Sequence, residues 1–545
     1  MAMNGAELFI RCLLSEGVEY IFGLPGEENL HLIEALRGSP ITFVTCRHEQ
    51  GAAFMADVYG RLTGRPGVCL ATLGPGATNL VTGVADANLD HAPLIAIAGQ
   101  AATSQLHKES HQVLDLAALF APITKYSARI VTPAVIAEVT RKAFRLAQTE
   151  KKGACFLELP EDIAQHPVDG EPLPVHNPVL PEPQTNQLAK AAALISQARH
   201  PMILAGNGAI RDEACQALRR FAEQCNIPVA NTFMAKGVIP FRHPLALGSA
   251  GLQARDYVNC GFGQADCIIC VGYDLVEYHP YLWHPSGDRV IIDIDSTPPE
   301  TDSHYPVAAA LMGDIAVSLD RLAGLVTPHP GQFMRPLREA LLDAMAAHAA
   351  DPSFPVKPQR LVHELREALA PDDLVICDVG AHKLWMARMF PCELPNTCLI
   401  SNGFASMGIA LPGAIAAKLV RPQRAVVAVT GDGGFLMNVQ ELETARRLGL
   451  ALVVLIWNDG GYGLIEWKQE NAFGHSSHVR FTNPDFVQLA AAFGAKGYRI
   501  GQPEELQPVL REALAQPMVT LIDCPVDYRE NRRLTEELQA LICPI

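Results

Sequence analysis

Two continuous apolar runs, AVVAVT at residues 425–430 and ALVVLIW at 451–457, constrain this chain more than any other feature. Runs without polar alternation are strands buried on both faces, and such strands belong to parallel sheets covered by helices. The first run ends in Gly431-Asp432-Gly433-Gly434 and is followed by a helical stretch, roughly 435–448, closed by Gly449. The second ends in Asn458-Asp459-Gly460-Gly461-Tyr462-Gly463. Asp432 and Asp459 lie 27 residues apart, about the length of one strand–helix–strand unit. If the two strands are parallel neighbours, both carboxylates leave the same edge of one sheet.

The same alternation fills the chain. ITFVTC, VCLATL and PLIAIAG read as strands in the first third, PMILAG, IPVANT, CIICVG and RVIIDID in the second, and LVICDVG and VTLIDC beside the two runs above in the last. HEQGAAFMADVYGRLTG is a helix stopped by glycine, and DEACQALRRFAEQC is another. Proline-dense stretches at 166–186 and 350–359 separate the thirds. At about 150 residues per domain, a chain of this size holds three or four. The expectation is an α/β fold of three doubly wound parallel-sheet domains, residues 1–170, 187–349 and 360–545, with ligands at the carboxyl ends of the strands.

Composition narrows the function. The net charge of −15 over 545 residues argues against a nucleic-acid or anionic-membrane surface, while leaving room for a local phosphate pocket. The first twenty residues carry Glu7 and Arg11 inside an apolar pattern and read as an amphipathic helix rather than a signal peptide. No apolar run is long enough to span a bilayer. Fourteen cysteines without a small-domain spacing pattern fit a reducing compartment, so a cytoplasmic location is expected. Cys267 and Cys270 form a Cys-x-x-Cys inside CIICVG; without a second ligand pair nearby, they read as a buried strand.

Two carboxylates at one strand edge suit a hard cation such as Mg2+, which completes its octahedron with phosphate oxygens and water. The flanking glycines let backbone amides approach a phosphate, and a helix N-terminus aimed at the same place favours an anion. A diphosphate bridging metal and helix is the natural ligand. Either Asp-Gly pair alone would read as a turn; the two together, at this spacing and after two strands, favour the metal.

Here the chain resembles the thiamine-diphosphate enzymes, and among them the acetolactate synthases, most closely the catabolic type. The likeness covers nearly the whole chain: FGLPGEENL (22–30), RHEQGAAFMADVYGR (47–61), TLGPGATNL (72–80), HQVLDLAALFAPITKYS (111–127), VGYDLVEYHPYLWH (271–284), VGAHKLW (379–385), NGFASMG (402–408), the metal segment, and the terminal VDYRENRRLTEEL. The resemblance implies pyrimidine-binding, central and diphosphate-binding domains in that order. It implies metal contacts from Asp432, Asp459 and the Gly461 carbonyl. Asp459 stands where many members carry Asn. Glu49, on its own a plain acid at a helix start, becomes the group that bonds N1′ of the aminopyrimidine. Pro25, Gly26, Thr72, Pro75 and Asn79 would wall the pyrimidine. Gly380, Ala381, His382, Gly433, Gly434, Tyr462 and Gly463 would lie at the diphosphate or thiazolium. Ala405 would contact the 4′-amino group through its backbone, and Met407 would bend the cofactor. The site would be shared between two chains, giving a homodimer at least and a homotetramer in many members.

The implied reaction is decarboxylation of pyruvate and addition of the two-carbon unit to a second 2-oxo acid. Gln112 either orients the acceptor carbonyl or holds its own loop. Trp467, matched to a tryptophan of the biosynthetic branch, would contact the acceptor. Flavin is expected to be absent, since GYDLVEYHP (272–280) holds no arginine. Three rivals stand beside this reading. A simple 2-oxo acid decarboxylase would need a proton donor, and the chain has no His-His pair, only His111. A hydride-transfer enzyme would have to use Gly206-Asn207-Gly208, which has Arg211 in place of a third glycine and no acidic residue about twenty positions on. A catalytically silent assembling homologue would not need Glu49, Asp432 and Asp459 intact.

Overall fold

A computed structural model describes residues 3–176, 179–251, 257–330 and 333–534. The last residues of the expected third domain, with the end of VDYRENRRLTEEL, lie outside the described residues.

Three six-stranded sheets follow one another along the chain, and every strand pair is parallel. The first holds β1 (Tyr20–Gly23), β2 (Thr42–Thr45), β3 (Gly67–Ala71), β4 (Leu94–Gln100), β5 (Tyr126–Arg129) and β6 (Ala154–Pro160), in the order β2-β1-β3-β4-β6-β5. The second holds β7 (Pro201–Ala205), β8 (Val229–Asn231), β9 (Ala246–Ser249), β10 (Cys267–Val271), β11 (Val290–Asp295) and β12 (Val307–Met312), in the order β12-β11-β10-β7-β8-β9. The third holds β13 (Leu374–Cys377), β14 (Cys398–Ile400), β15 (Val426–Gly431), β16 (Val453–Asn458), β17 (Lys496–Arg499) and β18 (Thr520–Pro525), in the order β14-β13-β15-β16-β18-β17. The first and third sheets share one topology. The central sheet has the doubly wound dinucleotide-type order. Three doubly wound parallel-sheet units are thus present, as the sequence implies.

The first and third units pack into a single core. The helices Glu49–Thr63, Pro75–Leu89 and Ala410–Val420 bring Phe54, Val58, Leu80 and Val84 together with Ile376, Ile409, Ala414 and Val426. Close approach needs small residues at the crossings. A Cβ on Gly83 would sit 2.5 Å from Ala53 Cβ, and one on Gly413 would sit 2.8 Å from Val58 Cγ2. The central unit keeps a core of its own, built on both faces of its sheet.

Two local expectations change. The stretch 350–359 is not all linker: the Val356 N–H donates to the Pro525 carbonyl at 2.9 Å, and a helix begins at Pro358. The helix after β15 starts at Asp432, runs only to Met437, and resumes as Glu441–Arg447. The break falls at Asn438, whose side chain is drawn off to donate to the Gly408 carbonyl at 2.9 Å. Twelve cysteines are free thiols, with Cys267 and Cys270 buried on β10 as expected, while Cys260 is disulfide-bonded.

Candidate active site

β15 and β16 are parallel neighbours in a register that sets Gly431 opposite Trp457. Asp432 therefore leaves the sheet just past β15, and Asp459 leaves just past β16, at the same edge. Asp432 Oδ2 accepts from the Gly460 N–H at 2.8 Å and from Asn483 Nδ2 at 2.7 Å, which ties the two loops together. Burial raises the Asp432 carboxyl above its ordinary value. Asp459 is pushed up to about 7, by burial first and by the Asp432 charge second. A divalent cation between them would relieve both penalties. Among the described residues no group of three His, Cys, Asp or Glu side chains gathers for a metal. The edge offers two carboxylates and the Gly461 backbone, and phosphate and water oxygens must supply the rest, which is the habit of Mg2+.

A cavity of about 160 Å³ opens over this edge and brings together Gly380, Ala381, His382, Ala405, Met407, Asp432, Gly433, Gly434, Asp459, Gly461, Tyr462 and Gly463. Leu464, Ile465 and Tyr528 complete its wall. The glycines are needed for space: a Cβ on Gly433 would meet the Tyr462 ring at 2.9 Å, and one on Gly434 would press on the Asp378 carboxyl at 3.2 Å. His382 is buried, with its basicity lowered to about 3 by that burial, and its Nε2 has no hydrogen-bond partner. A buried polar atom left unpaired in a cavity wall is unfavourable unless a ligand satisfies it. Ala405 holds φ at 58°, a conformation that costs a residue with a Cβ about 1 kcal/mol or more.

Asp378, just past β13, was not legible as a site residue. Its Oδ1 accepts from the N–H groups of Val379 at 2.7 Å and Gly408 at 2.8 Å, and Oδ2 faces the Thr430 hydroxyl at 3.2 Å. Burial pushes its carboxyl up to about 6 against those donors. It clamps the 402–408 loop to the strand ends. The available signal was an aspartate directly after a buried strand, the position where ligand-edge residues collect.

The remaining residues gather on the first unit. Glu49 is the first residue of its helix and is buried, with Oε2 accepting from Asn79 Nδ2 at 2.9 Å. Pro75 opens the helix that carries Asn79, and a Cβ on Gly76 would lie 3.4 Å from Glu49 Oε1. Gly26, next to Pro25, packs against Thr72, where a Cβ would come within 2.4 Å of the Thr72 Cβ. Gln112, at φ 58°, lies over Gly74, its carbonyl 2.8 Å from where a Cβ there would be. Glu441, from the third unit, reaches across: its Oε1 accepts from the N–H groups of Arg47 at 3.1 Å and His48 at 3.0 Å, immediately before Glu49.

Two sets of candidate residues lie away from this cavity. Within one chain the Glu49–Asn79–Gly76 cluster does not line the cavity over Asp432. Trp467 does not line it either. It lies in an adjoining cleft of about 640 Å³ with Glu470, Arg480, Val526 and Asp527, which shares Asp459, Gly463 and Tyr528 with the cavity, and its indole N–H is buried without a partner. Leu464 and Ile465, earlier on the same helix, face the cavity instead. At the central sheet the Gly206 turn is filled by protein: a Cβ on Gly206 would strike the Gly272 carbonyl at 2.3 Å, and the Asn207 N–H donates to Glu277 at 2.9 Å.

Three family models match in series: the N-terminal TPP binding domain of thiamine pyrophosphate enzymes over residues 3–119, their central domain over 188–322, and their C-terminal TPP binding domain over 378–524. Among individual proteins, the chain is 37% identical over 541 residues to an acetolactate synthase of Bacillus subtilis (strain 168), covering 98% of this chain and 95% of that one. It is 36% identical over 548 residues to the catabolic acetolactate synthase of Raoultella terrigena, covering 98% and 97%. It is 37% identical over 550 residues to a probable acetolactate synthase large subunit of Methanocaldococcus jannaschii, covering 97% and 93%. The chain belongs to the thiamine pyrophosphate enzymes, and within them to the acetolactate synthase family.

Proposed function

We propose that this enzyme decarboxylates pyruvate and joins the two-carbon unit to a second 2-oxo acid, with 2-acetolactate as the product when the acceptor is also pyruvate. The observation that carries the reading is the pair of half-sites, Glu49–Asn79 and Asp432–Asp459, on a chain similar over 98% of its length to acetolactate synthases. Thiamine diphosphate supplies a carbanion centre and an electron sink, chemistry that amino-acid side chains lack. Asp432, Asp459 and the Gly461 carbonyl hold Mg2+. His382 and the Gly433–Gly434 backbone face the diphosphate. Glu49 exchanges a proton at N1′ of the pyrimidine, with Asn79 fixing its carboxyl. Met407 would press against the cofactor rings, and Leu464 and Ile465, with Trp467 in the adjoining cleft, would border the acceptor. Gln112 turns its side chain to the second carbonyl.

The half-sites lie apart in one chain, so two chains complete each active site, and pairs of dimers form a tetramer. The working domain limits are 1–170, 187–349 and 360–545. No flavin is held, because the segment 272–280, GYDLVEYHP, carries no arginine to bind it. Among the described residues no helix is long and apolar enough to cross a membrane. We place the enzyme in the cytoplasm because twelve of the thirteen cysteines among the described residues are free thiols.

The test is an assay of metal- and cofactor-free protein with pyruvate, restoring thiamine diphosphate and Mg2+ separately and together. 2-Acetolactate formed only with both supports the proposal. Acetaldehyde as the sole product would replace it with a decarboxylase. Bound cofactor without turnover would replace it with a silent homologue. An absorbance spectrum of the same protein showing stoichiometric flavin would overturn the central-domain reading.

A further inference from the structure

The loop 401–406 belongs to the third unit but hangs from the first. Asp86 and Asp90 stand one turn apart on and just past the helix Pro75–Leu89, both fully buried. Asp90 takes the start of the loop, accepting from the N–H groups of Asn402 at 3.0 Å and Gly403 at 2.5 Å, with Arg61 3.3 Å behind it. Asp86 takes the end. Its Oδ1 accepts from the Ser401 hydroxyl at 2.7 Å and from the Ser406 N–H at 3.2 Å, and the Ser401 oxygen itself lies 3.1 Å from that N–H.

The Ser406 N–H and the Ala405 carbonyl are the two ends of one peptide unit. That unit is trans, since the cis bonds are elsewhere, so N–H and C=O point in opposite directions. Holding the N–H at Asp86 turns the Ala405 carbonyl to the other side, and Ala405 lines the cavity over Asp432. The positive φ of Ala405 is maintained against its cost by this hold. A carboxyl oxygen accepting from the N–H also polarises the peptide and strengthens the carbonyl as an acceptor.

We infer that Asp86 is a positioning residue for the aminopyrimidine: by gripping the far end of the 405–406 peptide it aims and strengthens the Ala405 carbonyl at the 4′-amino group. The inference rests on the proposed cofactor role of that loop. A second buried carboxyl supports it. Asp57, on the facing helix, has no donor to either oxygen, and Asp86 Oδ2 has none either. Burial, then the Asp86 charge, holds Asp57 well above the usual carboxylate range. A proton held on the raised Asp57 carboxyl would face the open Asp86 Oδ2 and leave Oδ1 to the loop.

The experiment compares Asp86→Asn with Asp90→Asn in the full chain. Both substitutions keep shape, and both touch the same loop, but only Asp86 holds the 405–406 peptide. Three readouts are taken: thiamine diphosphate affinity by titration with Mg2+, exchange of the C2 proton of bound cofactor, and amide hydrogen exchange across 401–408 in cofactor-free protein. Asp86→Asn is expected to weaken affinity and slow C2 exchange at least tenfold each, and to speed amide exchange at Ser406. Asp90→Asn should leave C2 exchange within threefold of wild type. Equal losses in both variants would mean general loop support, and a twofold or smaller effect of Asp86→Asn would mean no role; either overturns the inference. Should Asp86→Asn not fold, Ser401→Ala reads the same contact, with a threefold slowing of C2 exchange expected and an unchanged rate contrary to it. Wild-type protein that binds no thiamine diphosphate would instead defeat the proposed function.

Discussion

Glu49 accepts from Asn79 at 2.9 Å, the contact on which the proposed proton exchange would depend. Glu49→Gln keeps the shape and an acceptor oxygen but removes the exchangeable proton. Turnover is expected to fall about 100- to 10,000-fold, the range for loss of a general acid–base group, with thiamine diphosphate still bound. Steady-state rates at a cofactor concentration shown by titration to saturate the variant check this, and a rate within tenfold of wild type would remove Glu49 from the chemistry. Asp432 and Asp459 stand out in the sequence because each follows a strand inside a dense motif, whereas Glu49 stands out only through the family resemblance. Asp86, Asp378 and Glu441 do not. Each looks like an ordinary helical or post-strand acid, and what singles it out is a backbone N–H supplied from elsewhere: Asp86 meets Ser406 and Glu441 meets Arg47. Partners 30 residues away for Asp378, and 320 and 394 for Asp86 and Glu441, leave no local pattern. Trp467, singled out by a motif match, lies in the adjoining cleft that shares Asp459, Gly463 and Tyr528 with the cavity.

At the scale of elements, the strands legible in advance are mostly the central ones, where both faces are buried and the apolar run is unbroken. Of the strands not singled out, β5, β9, β12, β14 and β17 are sheet edges. Edge strands are short or partly wetted, as in the half-buried YSAR of β5, so neither alternation nor an apolar run marks them. The helix pair Glu49–Thr63 and Pro75–Leu89 depends on the missing side chain at Gly83. Gly83→Ala puts a Cβ 2.5 Å from Ala53 Cβ and should cost about 1–3 kcal/mol by overpacking. Because Asn79 lies one turn away, cofactor affinity should fall with stability, and urea unfolding beside a titration would show both or refute the link. Strand β11 carries a different cost. Asp293 is buried, accepts from the Tyr305 hydroxyl at 2.6 Å, and is pushed up to about 7 by burial. With its folded value raised above the unfolded one, its stabilising share is full below about pH 4 and is lost as pH rises to about 7. Asp293→Asn should therefore gain on wild type across that window, by on the order of 2–4 kcal/mol at most, and the gain should level off above it. A stability difference that does not change with pH would rule this out.

For the whole molecule the decisive observation is that the Glu49 cluster and the Asp432–Asp459 edge do not share a cavity within one chain. The first and third units share a core, and Glu441 and Asp86 bind them in both directions. Even so, no residue of the Glu49 cluster lines the cavity over Asp432 and Asp459. A helix with no buried residue, Gly463–Phe473, borders that cavity and exposes Ile465 and Phe473, as an interface element does before its partner is added. If two chains complete each site, inactive variants of the two halves must rescue one another. A hybrid of one Glu49→Gln chain and one Asp432→Ala chain carries both defects in one active site and none in the other. Each hybrid dimer should then regain about half the wild-type rate while both parent homodimers stay inactive. Co-expression with two different affinity tags isolates the hybrid, and turnover per dimer with cofactor and Mg2+ gives the readout. If Glu49 and Asp432 of the same chain worked together, each site in the hybrid would keep one defect and no activity would return.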